Sequence, residues 1–223
     1  MGLIFQGSPV PYRPHLPSWR QPLYLHLAPL WRALRRELER LEGRVLDVGS
    51  GGSPYRSLLG PKVTGYVALD RPGTDPAPDV IGDAQQLPFA DASFDAVFST
   101  QVFEHVPSPD AAVSEAARVL RPGGRFLLAV PGVWPTHESP HDYWRFTRHG
   151  LARLFDAHGL DLDGLEALGG LWSTVGQMAN LELSRHALMR EAVPLVNLVA
   201  LALDQLGPRE DLVMNWMATG VRR

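Results

Sequence analysis

Val45-Leu46-Asp47-Val48-Gly49-Ser50-Gly51-Gly52-Ser53 decides the fold class. Val45 to Val48 form a short, mostly apolar run of the kind that fills a buried strand. The chain then breaks into glycines, whose missing Cβ permits a tight turn and close backbone approach. Asp47 interrupts the apolar run at its tip, just before the turn.

The same rhythm repeats downstream. Tyr66-Val67-Ala68-Leu69-Asp70, Asp79 to Gly82, Phe94 to Ser99 and Phe126 to Val130 read as further short strands, and Leu212 to Val221 as the last. A short helix is expected near Ser57. Asp110 to Leu120 is helical, with Asp110 as its cap and Val113, Ala116, Ala117 and Leu120 on one face; Arg121-Pro122-Gly123-Gly124 ends it. Thr147 to His158 is a further helix, stopped by Gly159. Short buried strands alternating with helices predict an α/β fold, a doubly wound and mostly parallel sheet covered on both faces.

Upstream, Leu23, Leu27, Leu30, Leu34, Leu38 and Leu41 recur at helical spacing, with Arg32, Arg35, Arg36, Glu37, Glu39 and Arg40 mostly opposite. Pro29 is expected to split or kink this helix. The chain thus divides into a Pro-rich arm over 1–18, extended or partly disordered, a helical segment over 19–42, and one domain over 43–223. Within that domain, 171–206 is an insertion that a minimal sheet does not need. It is too long for a plain loop. Its apolar residues, Trp172, Val175, Met178 and Leu181, then Leu195, Leu198, Val199, Ala202 and Leu206, predict two helices broken at Pro194, with a face buried on the N-terminal helix, a second copy or a membrane.

Composition bounds the function. With 223 residues, Lys+Arg 21 against Asp+Glu 24 and a net charge of −3, the chain lacks the basic excess of a bulk nucleic-acid binder. The absence of cysteine excludes disulfides, thiolate metal sites and cysteine nucleophiles. No signal-peptide pattern or run of about 20 apolar residues is present, so a cytoplasmic protein is expected, with peripheral membrane contact left open.

A glycine turn between strand and helix exposes backbone N–H groups to a ligand. Asp70, at the next strand tip, would stand beside it and can accept both hydroxyls of a ribose. A dinucleotide site uses G-x-G-x-x-G. Here Asp47 precedes Gly49 and Gly51, where a pyrophosphate is repelled and an amino-bearing ligand is not.

Val45 to Tyr55, Val67 to Asp70, Gly82-Asp83-Ala84 through Leu87-Pro88-Phe89, Ser93 to Val97, Glu104-His105-Val106 and Leu120 to Gly124 together resemble, in order and spacing, the motifs of class I S-adenosylmethionine-dependent methyltransferases. One departure is Ser53, which stands where the family has its third loop glycine. The resemblance implies a Rossmann-like sheet of seven strands, the last antiparallel, with helical additions. It implies S-adenosylmethionine as cofactor. Asp47 would help hold the methionine amino group, with Gly49, Ser50 and Gly51 beneath the cofactor. Asp70, followed by Arg71, would bind the ribose, Asp83 and Ala84 the adenine, and Ser99, Thr100 and Gln101 would pass below the methionine part.

The acceptor would enter over the loops after strands four and five. These carry Phe103, Glu104 and His105, and then residues 134–147, rich in histidine, carboxylates and aromatics. His141 and Tyr143 are the leading candidates to face the acceptor, with His137 or His105 as alternative bases, since histidine titrates near neutral pH. His137-x-x-x-His141 has a proline inside it and no evident helix, so no metal is expected. Trp144 and Phe146 can equally pack the following helix on the sheet while Arg145 pairs with a carboxylate. The expected function is methyl transfer to a small-molecule, glycan or lipid-like acceptor at O, N or C, with a homodimer open. The alternatives are a non-catalytic cofactor-binding or regulatory module and, ranked below it, a nicotinamide-type oxidoreductase.

Overall fold

The computed structural model describes residues 16–207 and 209–223; the arm expected over 1–18 lies, up to residue 15, outside the described residues. The strands are β1 (Gly43–Val48), β2 (Val63–Asp70), β3 (Val80–Ile81), β4 (Phe94–Thr100), β5 (Leu120–Pro131), β6 (Leu160–Leu168) and β7 (Asn215–Arg222). They form a seven-stranded sheet in the order β3-β2-β1-β4-β5-β7-β6. β1 pairs in parallel with β2, Leu46 opposite Val67, and with β4, Leu46 opposite Val97. β7 runs antiparallel between β5 and β6.

Period-two alternation splits the core between two faces. Val45, Ala96, Phe98, Leu127 and Met217 point to one side, where α1 (Tyr24–Leu38) covers them with Leu30, Leu34 and Leu38. Leu46, Val97, Phe126 and Leu128 point to the other, under Val113 and Ala116 of α2 (Pro109–Val119) and Leu151 and Phe155 of α3 (Arg148–Ala157). β2 and β3 lie to one side of β1, while β4 and β5 lie to the other. The winding therefore reverses between β1 and β4, and the crevice for a ligand opens at their C-terminal ends.

Several local expectations are corrected. Pro29 does not split α1, which runs unbroken from Tyr24 to Leu38. Burial of Leu25, Leu30 and Leu34 outweighs the one missing hydrogen bond. α2 is capped by Ser108, whose Oγ accepts from Ala111 N at 3.2 Å, with Pro109 at the first helical position; Asp110 sits inside the first turn. The helix expected near Ser57 is a single 3₁₀ turn, Arg56–Leu58. β5 starts at Leu120 and absorbs Pro122-Gly123-Gly124 through a register shift against β4.

The insertion forms α4 (Leu171–Leu183) and α5 (Val193–Leu206), with Pro194 in the first turn of α5. Much of the expected apolar face lies outside, although Leu181 is buried as expected and Met178 is half-buried. Ser173, Thr174, Gln177, Asn180 and Asn197 are buried, while Trp172, Val175, Leu195, Leu198, Val199 and Leu206 are exposed. The reason lies in the partners. Asn180 Nδ2 donates to Asn197 Oδ1 at 2.7 Å, and Asp204 accepts from Trp172 N and Ser173 N at 2.8 and 2.9 Å, capping α4 from across the pair. Gln177 accepts from His26 N at 3.1 Å and donates to Pro22 O at 2.9 Å, tying α4 to the start of α1. Gly176 brings the helices close: a Cβ there would meet Ala200 Cβ at 2.9 Å. Leu198→Asp is therefore expected to shift stability by only about 0.5 kcal/mol, as exposed positions do. A thermal melt showing loss of several times that would mean Leu198 is packed in solution. Among the described residues no helix is long and apolar enough to cross a membrane.

Candidate functional site

The crevice is built from four loop segments at the C-terminal ends of β1, β2, β3 and β4. After β1 the backbone turns through left-handed conformations at Gly49, Gly51 and Ser53 (φ +74°, +52° and +54°). Gly49 N and Ser50 N donate to Leu69 O at 2.8 and 3.0 Å, which ties the turn to β2. Asp70 latches it from the other side, accepting from Gly51 N at 2.6 Å and Arg71 N at 2.7 Å, one bond to each carboxylate oxygen. Each oxygen keeps a lone pair for a diol. Gly51 has open space where a Cβ would point.

Asp47 is buried, and its Oδ2 accepts from Tyr66 Oη at 2.7 Å. Burial pushes its carboxyl up to about 7; the Asp70 charge adds to the rise and the Tyr66 bond opposes it. At the end of β4, Ser99 Oγ donates to Val48 O at 2.7 Å, so this side chain is spent on the sheet. Its neighbours are not: Thr100 Oγ1 and Gln101 Nε2 are buried without hydrogen-bond partners, and Gln101 is held at φ +56°. Asp83 is exposed and caps its own turn, with Oδ1 accepting from Gln85 N at 2.8 Å, while Ala84 is buried.

The segments expected to face an acceptor are the 3₁₀ turn Phe103–His105 and the loop after β5. Tyr143 N and Trp144 N donate to Glu104 O, and Trp144 Nε1 to Val106 O at 3.0 Å, so the loop is latched onto the turn. Arg145 is a clasp: it binds Asp142 through both carboxylate oxygens, at 2.7 and 2.8 Å, and reaches Trp134 O and Pro135 O. Against burial, which would raise it, Arg145 and the His137 amide hold the Asp142 carboxyl at about 2. Phe146 is in the core.

The four candidate bases fall into two layers. His141 and Tyr143 are at the exposed rim, with His141 Nδ1 2.9 Å from Tyr143 Oη. His105 and His137 lie deeper, their rings 4.7 Å apart edge to face. Between the histidines and the core sits Glu104, completely buried, with both carboxylate oxygens unpartnered. Burial lifts its carboxyl to about 8. Burial, then the nearby His105, lowers His137. The sequence reading placed Glu104 on the loop expected to meet an acceptor but not among the candidate bases. The signal was a carboxylate between two apolar residues, Phe103 and Val106. His26 was also missed. It stacks on Trp134 at 4.3 Å, accepts from Asn215 Nδ2 at 2.8 Å, and is kept neutral by burial, at about 3.

A family model described as a methyltransferase domain matches residues 46–128, which run from β1 into β5 and include the latched turn and the β4 tip. That segment is similar to a methyltransferase domain. Methyltransferases are also what its relatives are called. A malonyl-[acyl-carrier protein] O-methyltransferase of Methylococcus capsulatus is 38% identical over 114 residues, 44% of this chain and 40% of that protein. An uncharacterized methyltransferase of Mycobacterium marinum is 32% identical over 145 residues, 58% of this chain and 56% of that one. The chain thus spans about half the length of these curated relatives. A Haemonchus contortus phosphoethanolamine N-methyltransferase, solved with S-adenosyl-L-methionine, shares the fold at a TM-score of 0.54 and 16% identity, over 93% of this chain and 60% of that chain. The matched segment spans β1 to β4 and enters β5, while α1, the helical pair, β6 and β7 lie outside it.

Proposed function

We propose that this chain is an S-adenosylmethionine-dependent methyltransferase acting on a small or medium-sized acceptor at O, N or C. The observation that carries the reading is the crevice itself. It has a buried Asp47, the Asp70 latch with a lone pair free on each oxygen, an open Gly51, and two orphaned polar atoms on Thr100 and Gln101. Buried orphans of this kind call for a ligand, since each costs about 1–3 kcal/mol unpaired. Asp47 would take the methionine amino group, Asp70 the ribose diol, Asp83 and Ala84 the adenine, and Thr100 and Gln101 the methionine part.

Methyl transfer is an in-line displacement. The acceptor's lone pair forms the new bond to carbon, the carbon–sulfur bond breaks, and the sulfonium leaves as a neutral thioether. The protein's main task is alignment, which supplies roughly 7–11 kcal/mol. The latched loop after β5 and the turn at Glu104 would set the acceptor's angle. His141 and Tyr143 would meet it at the rim, with His105 and His137 beneath.

The test is calorimetry with S-adenosylmethionine and its demethylated product, followed by labelled-methyl transfer to pooled acceptors. Asp70→Ala removes the ribose partner and also unlatches Gly51 N and Arg71 N. Affinity is expected to fall by about 1.5–3 kcal/mol, or roughly 10- to 150-fold. Equal affinity in the variant removes Asp70 from the site, and no binding by the wild type ends the reading. Tight binding without transfer to any acceptor favours a cofactor-binding module.

A further inference from the structure

Glu104 is a carboxyl with no exposure and no side-chain hydrogen-bond partner on either oxygen; its backbone carbonyl accepts from Tyr143 N and Trp144 N. A buried carboxyl without side-chain partners is costly whether it keeps or loses its proton, and buried polar groups are as a rule satisfied by something. Arg145, the cation closest at hand, is fully occupied by Asp142 and three backbone carbonyls. What faces Glu104 is two imidazoles. His105 Nε2 lies 3.8 Å from Glu104 Oε1. A carboxylate oxygen of Glu104 and one ring nitrogen each of His105 and His137 all lie within 4.8 Å of one another.

The surroundings orient these rings as ligands. His105 Nδ1 is 2.7 Å from His141 O, a carbonyl that can only accept, so Nδ1 carries the proton and Nε2 presents a lone pair on the Glu104 side. His137 Nδ1 is 3.3 Å from Asp142 Oδ2, and Asp142 is itself held by Arg145. The carbonyl behind His105 is an outer-shell partner of the kind metal-bound histidines have, while His137 Nδ1 is near Asp142 without a hydrogen bond, and Asp142 is bonded instead by the His137 backbone N. Both histidines are partly exposed, which provides an entry path, while Glu104 closes the inner side. Donors each about 2.1 Å from a tetrahedral ion stand about 3.4 Å apart, which small side-chain rotations reach from the observed span.

We propose that Glu104, His105 and His137 form a binding site for a divalent transition-metal ion, with zinc and manganese as the favoured chemistry for two nitrogens and one oxygen. The trio replaces the sequence pair His137-x-x-x-His141, because His141 points its ring at Tyr143 and lends only its carbonyl. Three protein donors leave at least one coordination position for another ligand. Resting on the methyltransferase reading, the site then names an acceptor class: a hydroxyl. Bound to the ion, the hydroxyl gives its proton to solvent, and its oxygen forms the bond to the methyl carbon as the carbon–sulfur bond breaks. An alkoxide and a sulfonium become a neutral ether and a neutral thioether.

The experiment uses the full chain, stripped with chelator and dialysed, and titrated with Mn²⁺ by electron paramagnetic resonance and with Zn²⁺ by calorimetry. One ion per chain is expected, and pulsed resonance on the Mn²⁺ form should show coupling to histidine nitrogen. Glu104→Gln keeps the shape and removes the charge. It should retain the circular dichroism and melting of the stripped wild type but lose saturable binding, as should His137→Asn. Absence of a one-to-one site in the wild type, or a bound Mn²⁺ without nitrogen coupling, overturns the proposal with no variant needed. Unchanged binding in a folded Glu104→Gln also overturns it. S-adenosylmethionine binding, measured on the same samples, keeps the two readings apart. Metal without cofactor binding leaves the ion site standing and removes the methyltransferase reading, and the converse result does the opposite.

Discussion

Gly49→Ala is expected to abolish S-adenosylmethionine binding while leaving most of the sheet intact. Gly49 sits at φ +74°, a left-handed conformation costing a residue with a Cβ roughly 1–2 kcal/mol. The added Cβ would also lie 2.3 Å from Val102 Cγ2 and 2.7 Å from Cγ1. Something must move, and the parts free to move are the turn at residues 49–53 and the segment leading from Gln101 to the 3₁₀ turn. Both line the crevice. Calorimetry should show at least a 100-fold loss of affinity, with a thermal shift smaller than a core truncation gives. Phe155→Ala, which empties a fully buried position, provides that benchmark at about 3–5 kcal/mol. The double variant Gly49→Ala with Val102→Ala removes the two closest contacts and leaves the backbone cost and Val102 Cβ at 3.0 Å, so it should regain part of the lost affinity. If the single variant binds like the wild type, the turn is not part of the ligand site. If the double variant recovers nothing, the contact with Val102 is not the cause.

Asp47→Asn is expected to act in opposite directions on stability and binding. In the free protein burial holds the Asp47 carboxyl at about 7, against an ordinary value of 3.8. Between those values the unfolded chain gives up its proton while the folded one keeps it. The folded state therefore binds more protons, and stability falls as pH rises from about 4 through about 7. Below about pH 4 the penalty is absent. Asparagine has no proton to lose and can still accept the Tyr66 hydroxyl. At pH 8 the variant should therefore be more stable than the wild type by a few kcal/mol, since each tenfold change in proton affinity is worth about 1.4 kcal/mol. At pH 4 the two should melt together. The cofactor's amino group, by contrast, needs the charged carboxylate. Wild-type affinity should weaken by up to about tenfold per pH unit below 7, and the variant should bind weakly with little pH dependence. Melting curves and titrations at pH 4, 6 and 8 check both arms. A variant no more stable than the wild type at pH 8 means Asp47 is ionised at no cost in the free protein.

Much of the crevice geometry at β1 and β2 was legible because its parts are local. Asp47, Gly49 and Gly51 lie within five residues, and Asp70 ends the neighbouring strand, so strand-tip chemistry could be read one segment at a time. Thr100 and Gln101 were reached through the family resemblance. The acceptor side was legible only as composition. Its depth order, with His141 and Tyr143 outside and Glu104, His105 and His137 inside, depends on how residues 132–147 fold back over the 3₁₀ turn. No periodicity encodes the bonds from Tyr143 N and Trp144 N to Glu104 O that hold it there.

The helical pair carries the same lesson. The spacing of Leu195, Leu198, Val199, Ala202 and Leu206 gives a true helix and locates its apolar stripe. Which stripe turns inward is settled by specific partners: Asn180 with Asn197, Gln177 with the start of α1, and Asp204 with the N-terminus of α4. Apolar burial has no direction and is satisfied by any cover, so a helix's hydrophobic face says only that it is apolar. A hydrogen bond has two ends in fixed geometry, and one end is invisible along the chain. The sequence by itself therefore determined β1 to β4, the core of β5 and the last strand, the glycine turn and the order of acidic tips, all set by covalent neighbours, while β6 (Leu160–Leu168) carried no signal that was read. Tertiary structure alone decided what depends on pairs distant in the chain. It kept α1 continuous through Pro29, turned the polar side of α4 and α5 inward, and placed a bare carboxylate at Glu104 between two imidazoles.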